Sequence, residues 1–262
     1  MIRRRIRVAI AAVAAAIVLS GCAPAAQDTS EPAPDGTEEV TLYVVRHGRT
    51  MLNTTDRVQG WSDAPLTQAG ADVGEAAGDG LSDVRFQAAY SSDSGRAVQT
   101  AHIILDENDA SSGVELQDDE RLREFNFGSY EGDLNETMWQ DIADSRGITP
   151  EEFHATPDPE AFANSVAALD AARPESEGNW PAEDYATATT RLSEVIHDIA
   201  EEESSRGGGN VLIVSHGLSI QAIIDTLFPD FELAPGGIAN ASVTTITYKD
   251  GEFTLEKVND TS

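Results

Sequence analysis

The stretch Val40-Thr41-Leu42-Tyr43-Val44-Val45-Arg46-His47-Gly48 decides the fold. Its first six residues are mostly apolar and β-branched, and a glycine follows the histidine, so the run predicts a buried strand that feeds a tight turn. A second run of this kind, Val211-Leu212-Ile213-Val214-Ser215, ends in His216-Gly217. Ligands of open α/β sheets gather at the carboxyl ends of strands. If the two strands are neighbours, both imidazoles and Arg46 lie at one edge, which favours a phosphate pocket.

The rest of the chain alternates between helical and extended patterns. Apolar residues at helical spacing predict helices at about Thr67–Leu81, Ser94–Leu105, Ala182–Glu203 and Leu218–Leu227. Short apolar runs predict strands at Ala88–Ser91 and Val114–Leu116, with a terminal hairpin of Ser242–Tyr248 and Phe253–Val258. This alternation predicts an α/β fold, a three-layer sandwich whose central sheet is mostly parallel and carries helices on both faces.

One segment does not fit the alternation. Residues 130–181 hold five prolines, 12 acidic residues and only two arginines, with short helical pieces such as Glu160–Leu169. Long irregular segments inside compact domains often have a role. We therefore expect a globular domain over 40–259 with a helical cap insertion at about 130–181, and a decorated surface loop is the alternative interpretation.

The amino terminus has the form of a targeting segment. Basic residues precede a 12-residue apolar run, which is too short to cross a bilayer comfortably. The run ends in Leu19-Ser20-Gly21-Cys22, which resembles the bacterial lipoprotein box. The prediction is a lipoprotein signal peptide over 1–21, lipidation of Cys22, a disordered tether over 22–39, and a protein anchored at the extracytoplasmic face of the cell membrane. An ordinary secretory signal with an incidental cysteine is the alternative.

The charge balance excludes several kinds of partner. The chain of 262 residues carries a formal charge of −29, which becomes about −33 once the four arginines of the targeting segment are removed. Such a surface repels nucleic acid. No spacing of histidine and acidic residues suggests a metal site, so we expect neither a metal nor a cofactor. Nothing in the sequence fixes the oligomeric state.

The residues near the two histidines suit phosphoryl transfer. His47 can act as the nucleophile, because neutral imidazole forms covalent intermediates. Arg46 and Arg96 can each grip two phosphate oxygens, and a protonated His216 would add a third cation. Asn53 can donate through its amide. Glu124, which follows Leu122 and precedes Phe125 and Phe127, is a candidate acid for the leaving oxygen.

Four blocks in order resemble one known family, the histidine phosphatase superfamily in its phosphoglycerate mutase-like branch. The first block is Arg46-His47-Gly48-Arg49-Thr50, and Asn53, Arg57, Gly60 and Trp61 follow it. The second block is Tyr90-Ser91-Ser92-Asp93-Ser94-Gly95-Arg96-Ala97. The third block, which contains the candidate acid, is Leu122-Arg123-Glu124-Phe125-Asn126-Phe127-Gly128-Ser129-Tyr130-Glu131-Gly132, and the fourth is Ser215-His216-Gly217. The resemblance spans roughly Val40 to Val258, and four ordered blocks make it specific.

The resemblance implies a phosphohistidine mechanism without metal. His47 would attack phosphorus while Arg46, Arg96 and His216 hold the transferring group, and Glu124 would give a proton to the leaving alcohol. It also implies a substrate-binding set around the phosphate, made of Asn53, Arg57, Gly60 and Gly217.

The departures from the family pattern favour a phosphatase acting on a small phosphorylated molecule. In the mutases an arginine that helps hold the substrate carboxylate follows the acid, whereas this chain has Phe125 there. The acid-phosphatase and phytase branch usually has His-Asp where this chain has His216-Gly217, and this difference argues against that branch. Three alternatives stay open: a mutase of the phosphoglycerate type, a non-catalytic lipoprotein that binds phosphorylated ligands, and an envelope interaction module that uses the acidic insertion.

Overall fold

A computed structural model of the chain describes residues 38–155 and 158–261. The predicted signal peptide, Cys22 and all but the last two residues of the predicted tether lie outside these residues. Within the described part of the chain, no helix is both long and apolar enough to span a bilayer.

A six-stranded sheet forms the centre of the domain. The strands are β1 (Val40–Arg46), β2 (Phe86–Ser91), β3 (Leu116–Asp118), β4 (Gly209–Ser215), β5 (Val243–Lys249) and β6 (Glu252–Asp260). Their order across the sheet is β3-β2-β4-β1-β5-β6. The first four strands of that order run parallel, while β5 and β6 join antiparallel at one side. The predicted mostly parallel sheet is therefore confirmed, and β1 and β4 are neighbours.

Helices cover both faces of the sheet. They are α1 (Met51–Thr54), α2 (Gln68–Gly80), α3 (Gly95–Asp106), α4 (Asn135–Arg146), α5 (Pro150–Ala155), α6 (Pro159–Ala172), α7 (Tyr185–Ser205) and α8 (Gly217–Leu227). Strand β4 shows how the layers form, because successive side chains of a strand point to opposite faces. Val211 and Ile213 pack into the core that α7 and α8 share, while Leu212 and Val214 pack against α3.

The segment at 130–181 is largely helical, with α4, α5 and α6, and the predicted piece Glu160–Leu169 lies inside α6. Asp170 fixes it at both ends. This buried carboxylate accepts hydrogen bonds from the backbone N–H (2.7 Å) and hydroxyl (2.6 Å) of Ser129 and from the backbone N–H of Ala182 (2.9 Å). The three donors hold the pKa of Asp170 below its ordinary value against the opposing effect of burial.

Several boundaries differ from the sequence prediction. The long helix begins at Tyr185 rather than 182, because Asp184 caps it by accepting from the backbone N–H of Thr187. The predicted strand at 114–116 is displaced to β3. Helix α1 was not predicted, because four residues are too few to show a helical period. A capping box between Thr50 and Asn53 stabilises its first turn.

Candidate active site

The pairing of β1 with β4 brings the two histidines together. Arg46 lies opposite Ser215 in the parallel register, so the chain leaves both strands at the same edge. The backbone N–H of His47 donates to the carbonyl oxygen of Ser215 (3.0 Å). The imidazole centroids of His47 and His216 lie 5.2 Å apart, with the rings tilted by 59°. Both side chains are buried.

His47 is held in the form that a nucleophile needs. Its Nδ1–H donates to the carbonyl oxygen of Gly48 (2.7 Å), which leaves the lone pair of a neutral ring on Nε2. Burial lowers the pKa of His47 well below its ordinary value, and the positive charges of Arg96 and Arg46 lower it further. The ring is therefore neutral at neutral pH, with Nε2 free to attack an electrophile.

His216 carries the opposite tautomer. Arg96 has no acceptor site, so its Nη2 donates to Nδ1 of His216 (2.9 Å), and the ring proton must lie on Nε2. Burial, and after it the charge of Arg96, lowers the pKa of His216 well below its ordinary value. The expectation that a protonated His216 supplies a third cation is wrong for this structure. The ring is neutral and offers a single N–H.

Arg96 is anchored by the loop that follows the first histidine block. Its fully buried guanidinium donates to the carbonyl oxygens of Gly60 (2.6 Å) and Ser62 (3.1 Å) and to the carboxylate of Asp63 (3.0 Å). Burial lowers the pKa of Arg96, and the contact with Asp63 opposes that shift. These contacts fix a cation beside His216.

Arg46 reaches the site from the end of β1 and is held on the other side. Its Nη1 donates to the carbonyl oxygen of Ile238, in the loop before β5. Burial lowers its pKa, while the nearby carboxylate of Glu124 raises it. Gly217 allows this placement, because a Cβ atom there would lie 3.1 Å from Nε of Arg46.

Three buried N–H groups in this cluster have no acceptor among the described residues. They belong to Nε of Arg46, Nε of Arg96 and Nε2 of His216. Buried donors in folded proteins are almost always paired, and an unpaired one calls for an explanation. These donors, which come from two guanidinium groups and one imidazole, are suited to hold an oxyanion. The free lone pair of His47 lies beside them and can attack the central atom of that anion.

Glu124 lies at the start of α8. Its Oε1 accepts from the backbone N–H of Ser219 (2.9 Å), the hydroxyl of Ser219 (2.8 Å) and its own neighbour Phe125 (3.1 Å). Its Oε2 accepts from the backbone N–H of Leu218 (3.0 Å). These four donors orient the Glu124 side chain at the N-terminus of α8. Its effect on the pKa of Arg46 and Arg96 shows that it shares their surroundings.

The other predicted binding residues lie in loops around the cluster. Gly60 is buried, and its carbonyl oxygen is one of the acceptors for Arg96. The Oδ1 of Asn53 accepts from the backbone N–H of Thr50 (3.1 Å). Arg57 is exposed and donates to the carbonyl oxygen of Gly132 (2.6 Å), which ties it to the start of the insertion. The contacts of Asn53 and Arg57 are thus structural here, and their predicted substrate roles stay predictions.

Sequence reasoning missed Glu131, which organises the loop under Arg96. Its carboxylate accepts from the backbone N–H groups of Gly60 (3.1 Å), Trp61 (2.8 Å), Ser62 (3.0 Å) and Phe127 (3.0 Å). Glu131 falls inside the third family block, which contains the candidate acid, but no local pattern distinguishes a carboxylate that binds distant backbone from one that faces solvent.

Gln59 is the second residue that the sequence did not single out. Its Oε1 accepts from the hydroxyl of Thr50 (2.6 Å), while its buried Nε2 has no acceptor within the described ranges. It directly precedes Gly60, so it adds a further N–H donor to the loop that binds Arg96. Over the same ranges, no group of three His, Cys, Asp or Glu side chains is arranged to hold a metal ion.

Comparison with known proteins agrees with this geometry. The sequence model of the histidine phosphatase superfamily (branch 1) matches residues 42–261. The chain belongs to that superfamily. Its relatives include both mutases and phosphatases. A 2,3-bisphosphoglycerate-dependent phosphoglycerate mutase from Bifidobacterium longum is 31% identical over 193 residues, which cover 71% of this chain and 76% of that protein.

Two further superfamily members are similar over different lengths. A crystal structure of phosphoglycerate mutase from Bacillus anthracis is 41% identical, superposes with a TM-score of 0.78, and matches 86% of this chain and 95% of its own. The fructose-2,6-bisphosphatase TIGAR of Xenopus laevis is 44% identical over 92 residues, or 35% of this chain and 34% of that protein. The superfamily and its fold are thereby established.

Proposed function

We propose that this protein is a metal-independent phosphomonoester hydrolase that acts through a phosphohistidine at His47. One observation carries the proposal: a free Nε2 lone pair on a buried neutral imidazole, beside three buried N–H groups that have no acceptor among the described residues. A phosphoryl group satisfies both features, because its oxygens accept hydrogen bonds and its phosphorus accepts the lone pair.

The reaction proceeds in two displacements. His47 Nε2 forms a bond to phosphorus as the ester P–O bond breaks, and Glu124 in its protonated form gives its proton to the leaving oxygen. A water molecule then attacks the phosphoryl group, and Glu124 accepts a proton from it. The N–P bond breaks, which releases inorganic phosphate and restores the neutral imidazole. Arg46, Arg96 and the N–H of His216 stabilise the charge on the phosphoryl oxygens in both steps.

The surroundings of Glu124 support hydrolysis over intramolecular transfer. Phe125, at the position where the mutases carry a carboxylate-binding arginine, is fully buried and packs against Tyr185 with ring centroids 6.1 Å apart. It offers no charge to hold a phosphorylated acid for return of the phosphoryl group. A mutase is the second candidate, because the matched proteins of B. longum and B. anthracis carry that name.

The test is a panel of phosphorylated small molecules incubated with the full chain, with free phosphate as the readout and His47→Ala as the control. A hydrolase releases phosphate from at least one substrate, and the variant does not. Acid-quenched wild-type protein retains an acid-labile, base-stable phosphoryl label that His47→Ala lacks. Equal release by both proteins would end the proposal, and movement of phosphate between positions without release would replace it with the mutase.

We further propose that the enzyme acts outside the cytoplasm, attached to the membrane through Cys22. The lipobox-like run Leu19-Ser20-Gly21-Cys22 supports this location. Metabolic labelling with a radioactive fatty acid should mark the wild-type protein and not Cys22→Ala, which should leave the membrane fraction. A labelled Cys22→Ala variant would contradict the anchor while leaving the catalytic proposal intact.

A further inference from the structure

An arginine on α7 binds the backbone of the segment that carries Glu124. The guanidinium of Arg191 donates to the carbonyl oxygens of Arg121 (2.9 Å), Arg123 (2.7 Å) and Glu124 (2.9 Å). It also forms a two-point ion pair with Glu183 (2.8 and 2.7 Å). One side chain thus makes five hydrogen bonds, which is the full donor capacity of a guanidinium group.

Glu183 binds the backbone on the other side of Glu124. Its Oε2 accepts from the backbone N–H of Asn126 (2.9 Å), and its own backbone N–H donates to the carbonyl oxygen of Asn126 (2.8 Å). The side chains of Arg191 and Glu183 are only 15% and 11% exposed. A single ion pair therefore fixes the backbone on both sides of Glu124.

The ion pair controls the direction of the Glu124 side chain, because it binds the backbone of that residue rather than its carboxyl group. The carbonyls of Arg123 and Glu124 belong to the two peptide planes on either side of the Glu124 Cα, so binding both to one planar guanidinium fixes the start of the Glu124 side chain. The indole N–H of Trp61 donates to the same Glu124 carbonyl (2.9 Å), so both lone pairs of that oxygen are used. Small displacements of a catalytic group cost rate steeply.

We propose that the Glu183–Arg191 ion pair is a positioning device that holds Glu124 in place for proton transfer to the leaving oxygen; the inference rests on the hydrolase function proposed above. Glu183 lies two residues after the 130–181 insertion, so the device also connects the acid to the end of that insertion. Arg191 is a positioning residue, since it contacts the backbone of Glu124 and no reacting atom.

The kinetic test compares leaving groups. A nitrophenolate departs without a proton, whereas an alkoxide needs the proton of Glu124, and kcat/KM reports the step in which the leaving group departs. Arg191→Lys and Arg191→Met should lower kcat/KM for an alkyl phosphate by roughly tenfold or more, and for p-nitrophenyl phosphate by about threefold at most. Lysine keeps an ion pair with Glu183 but not the three carbonyl contacts, so it should not rescue.

Arg121→Met is the matched control. Arg121 forms ion pairs with Asp119 (2.8 Å) and with Asp198 (2.6 Å) on α7, so it links the same turn to the same helix without holding the Glu124 carbonyl. We expect the ratio of alkyl to aryl kcat/KM to stay at the wild-type value in this variant. An equal fall for both substrates in Arg191→Lys, or a shifted ratio in Arg121→Met, would overturn the positioning role.

Amide hydrogen exchange gives a readout that needs no activity. The N–H groups of Phe125, Leu218 and Ser219 donate to the Glu124 carboxylate, so they report its position directly. They should exchange at least about tenfold faster in Arg191→Lys, as expected for a destabilised local opening, and at the wild-type rate in Arg121→Met. Unchanged exchange in Arg191→Lys would refute the positioning device, whether or not the protein hydrolyses any phosphate ester.

Discussion

The ends of β1 and β4 have the same local sequence pattern and opposite chemistry. A histidine and then a glycine directly follow each strand, at the same edge of the sheet, and the two rings are 5.2 Å apart. At the end of β1 the Nδ1–H of His47 meets a backbone carbonyl, so Nε2 is a lone pair. At the end of β4 a guanidinium donates to Nδ1 of His216, so Nε2 is an N–H.

The difference shows that the hydrogen-bond partner of one ring nitrogen sets the role of the other. Both rings have a lowered pKa, caused first by burial. Burial therefore makes both rings neutral, and only the partner atoms separate a nucleophile from a hydrogen-bond donor. Four predictions test how the ends of β1 and β4 differ.

The largest effect should come from removing each ring in turn. His47→Ala should lower kcat/KM by a factor on the order of 10⁴ or more, because the covalent route is lost. His216→Ala should cost about a hundredfold to a thousandfold, the usual effect of losing one transition-state donor. Phosphoenzyme trapping separates the two, with label retained in His216→Ala and absent in His47→Ala. A label in His47→Ala would assign the nucleophile to another residue.

The two arginines should differ more in stability than in rate. Arg46→Met and Arg96→Met should each lower kcat/KM by roughly a hundredfold. Arg96→Met should also lower the free energy of unfolding by about 2 kcal/mol, less than for a fully buried pair because Asp63 is 39% exposed. Arg46→Met should cost about 1 kcal/mol, since its partner is a carbonyl oxygen. Urea unfolding measures both, and equal losses of stability would contradict the different anchoring.

The glycine after each histidine gives a smaller and asymmetric effect. A Cβ at position 48 would lie 2.3 Å from the carbonyl oxygen of Gly70, whereas one at 217 would meet the flexible guanidinium of Arg46 at 3.1 Å. Gly48→Ala should therefore destabilise the fold by about 1–3 kcal/mol, because backbone must move. Gly217→Ala should keep wild-type stability and lose activity by about tenfold through displacement of Arg46. Thermal unfolding and kcat/KM distinguish the two variants. A larger loss of stability in Gly217→Ala than in Gly48→Ala would contradict this interpretation of the two turns.

The protonation states can be observed without any substitution. Nitrogen-15 chemical shifts at neutral pH should show a proton on Nδ1 of His47 and on Nε2 of His216. Both rings should stay neutral below the ordinary imidazole pKa of about 6.5. Because the unfolded chain then binds more protons than the native state, these two residues make stability fall as the pH falls below that value. Titration of either ring near its ordinary pKa would contradict the conclusion that burial lowers the pKa of both imidazoles.

Much of the fold followed from periodicity. The runs at 40–45 and 211–215 are short, apolar and β-branched, which predicts buried strands, and both form strands of the central sheet. The same approach misplaced β3 and gave no bounds for α4 and α5 within the predicted helical insertion, since their polar residues give weak patterns. The site was partly accessible because its residues follow strands or begin helices. Glu131, Glu183 and Arg191 were not, because their partners lie far away in sequence and their roles depend on backbone atoms.

The sequence by itself determined the layered α/β fold, the superfamily and the residue types available at the sheet edge, because these depend on local hydrophobic patterns and on ordered blocks. Only the tertiary structure decided which histidine keeps a lone pair, which arginine is buried against a carboxylate, and what holds Glu124. Those properties arise from burial and from hydrogen bonds between residues up to 120 positions apart, such as Arg96 and His216. No local pattern encodes such a pairing, since it exists only when folding brings the two atoms within contact distance.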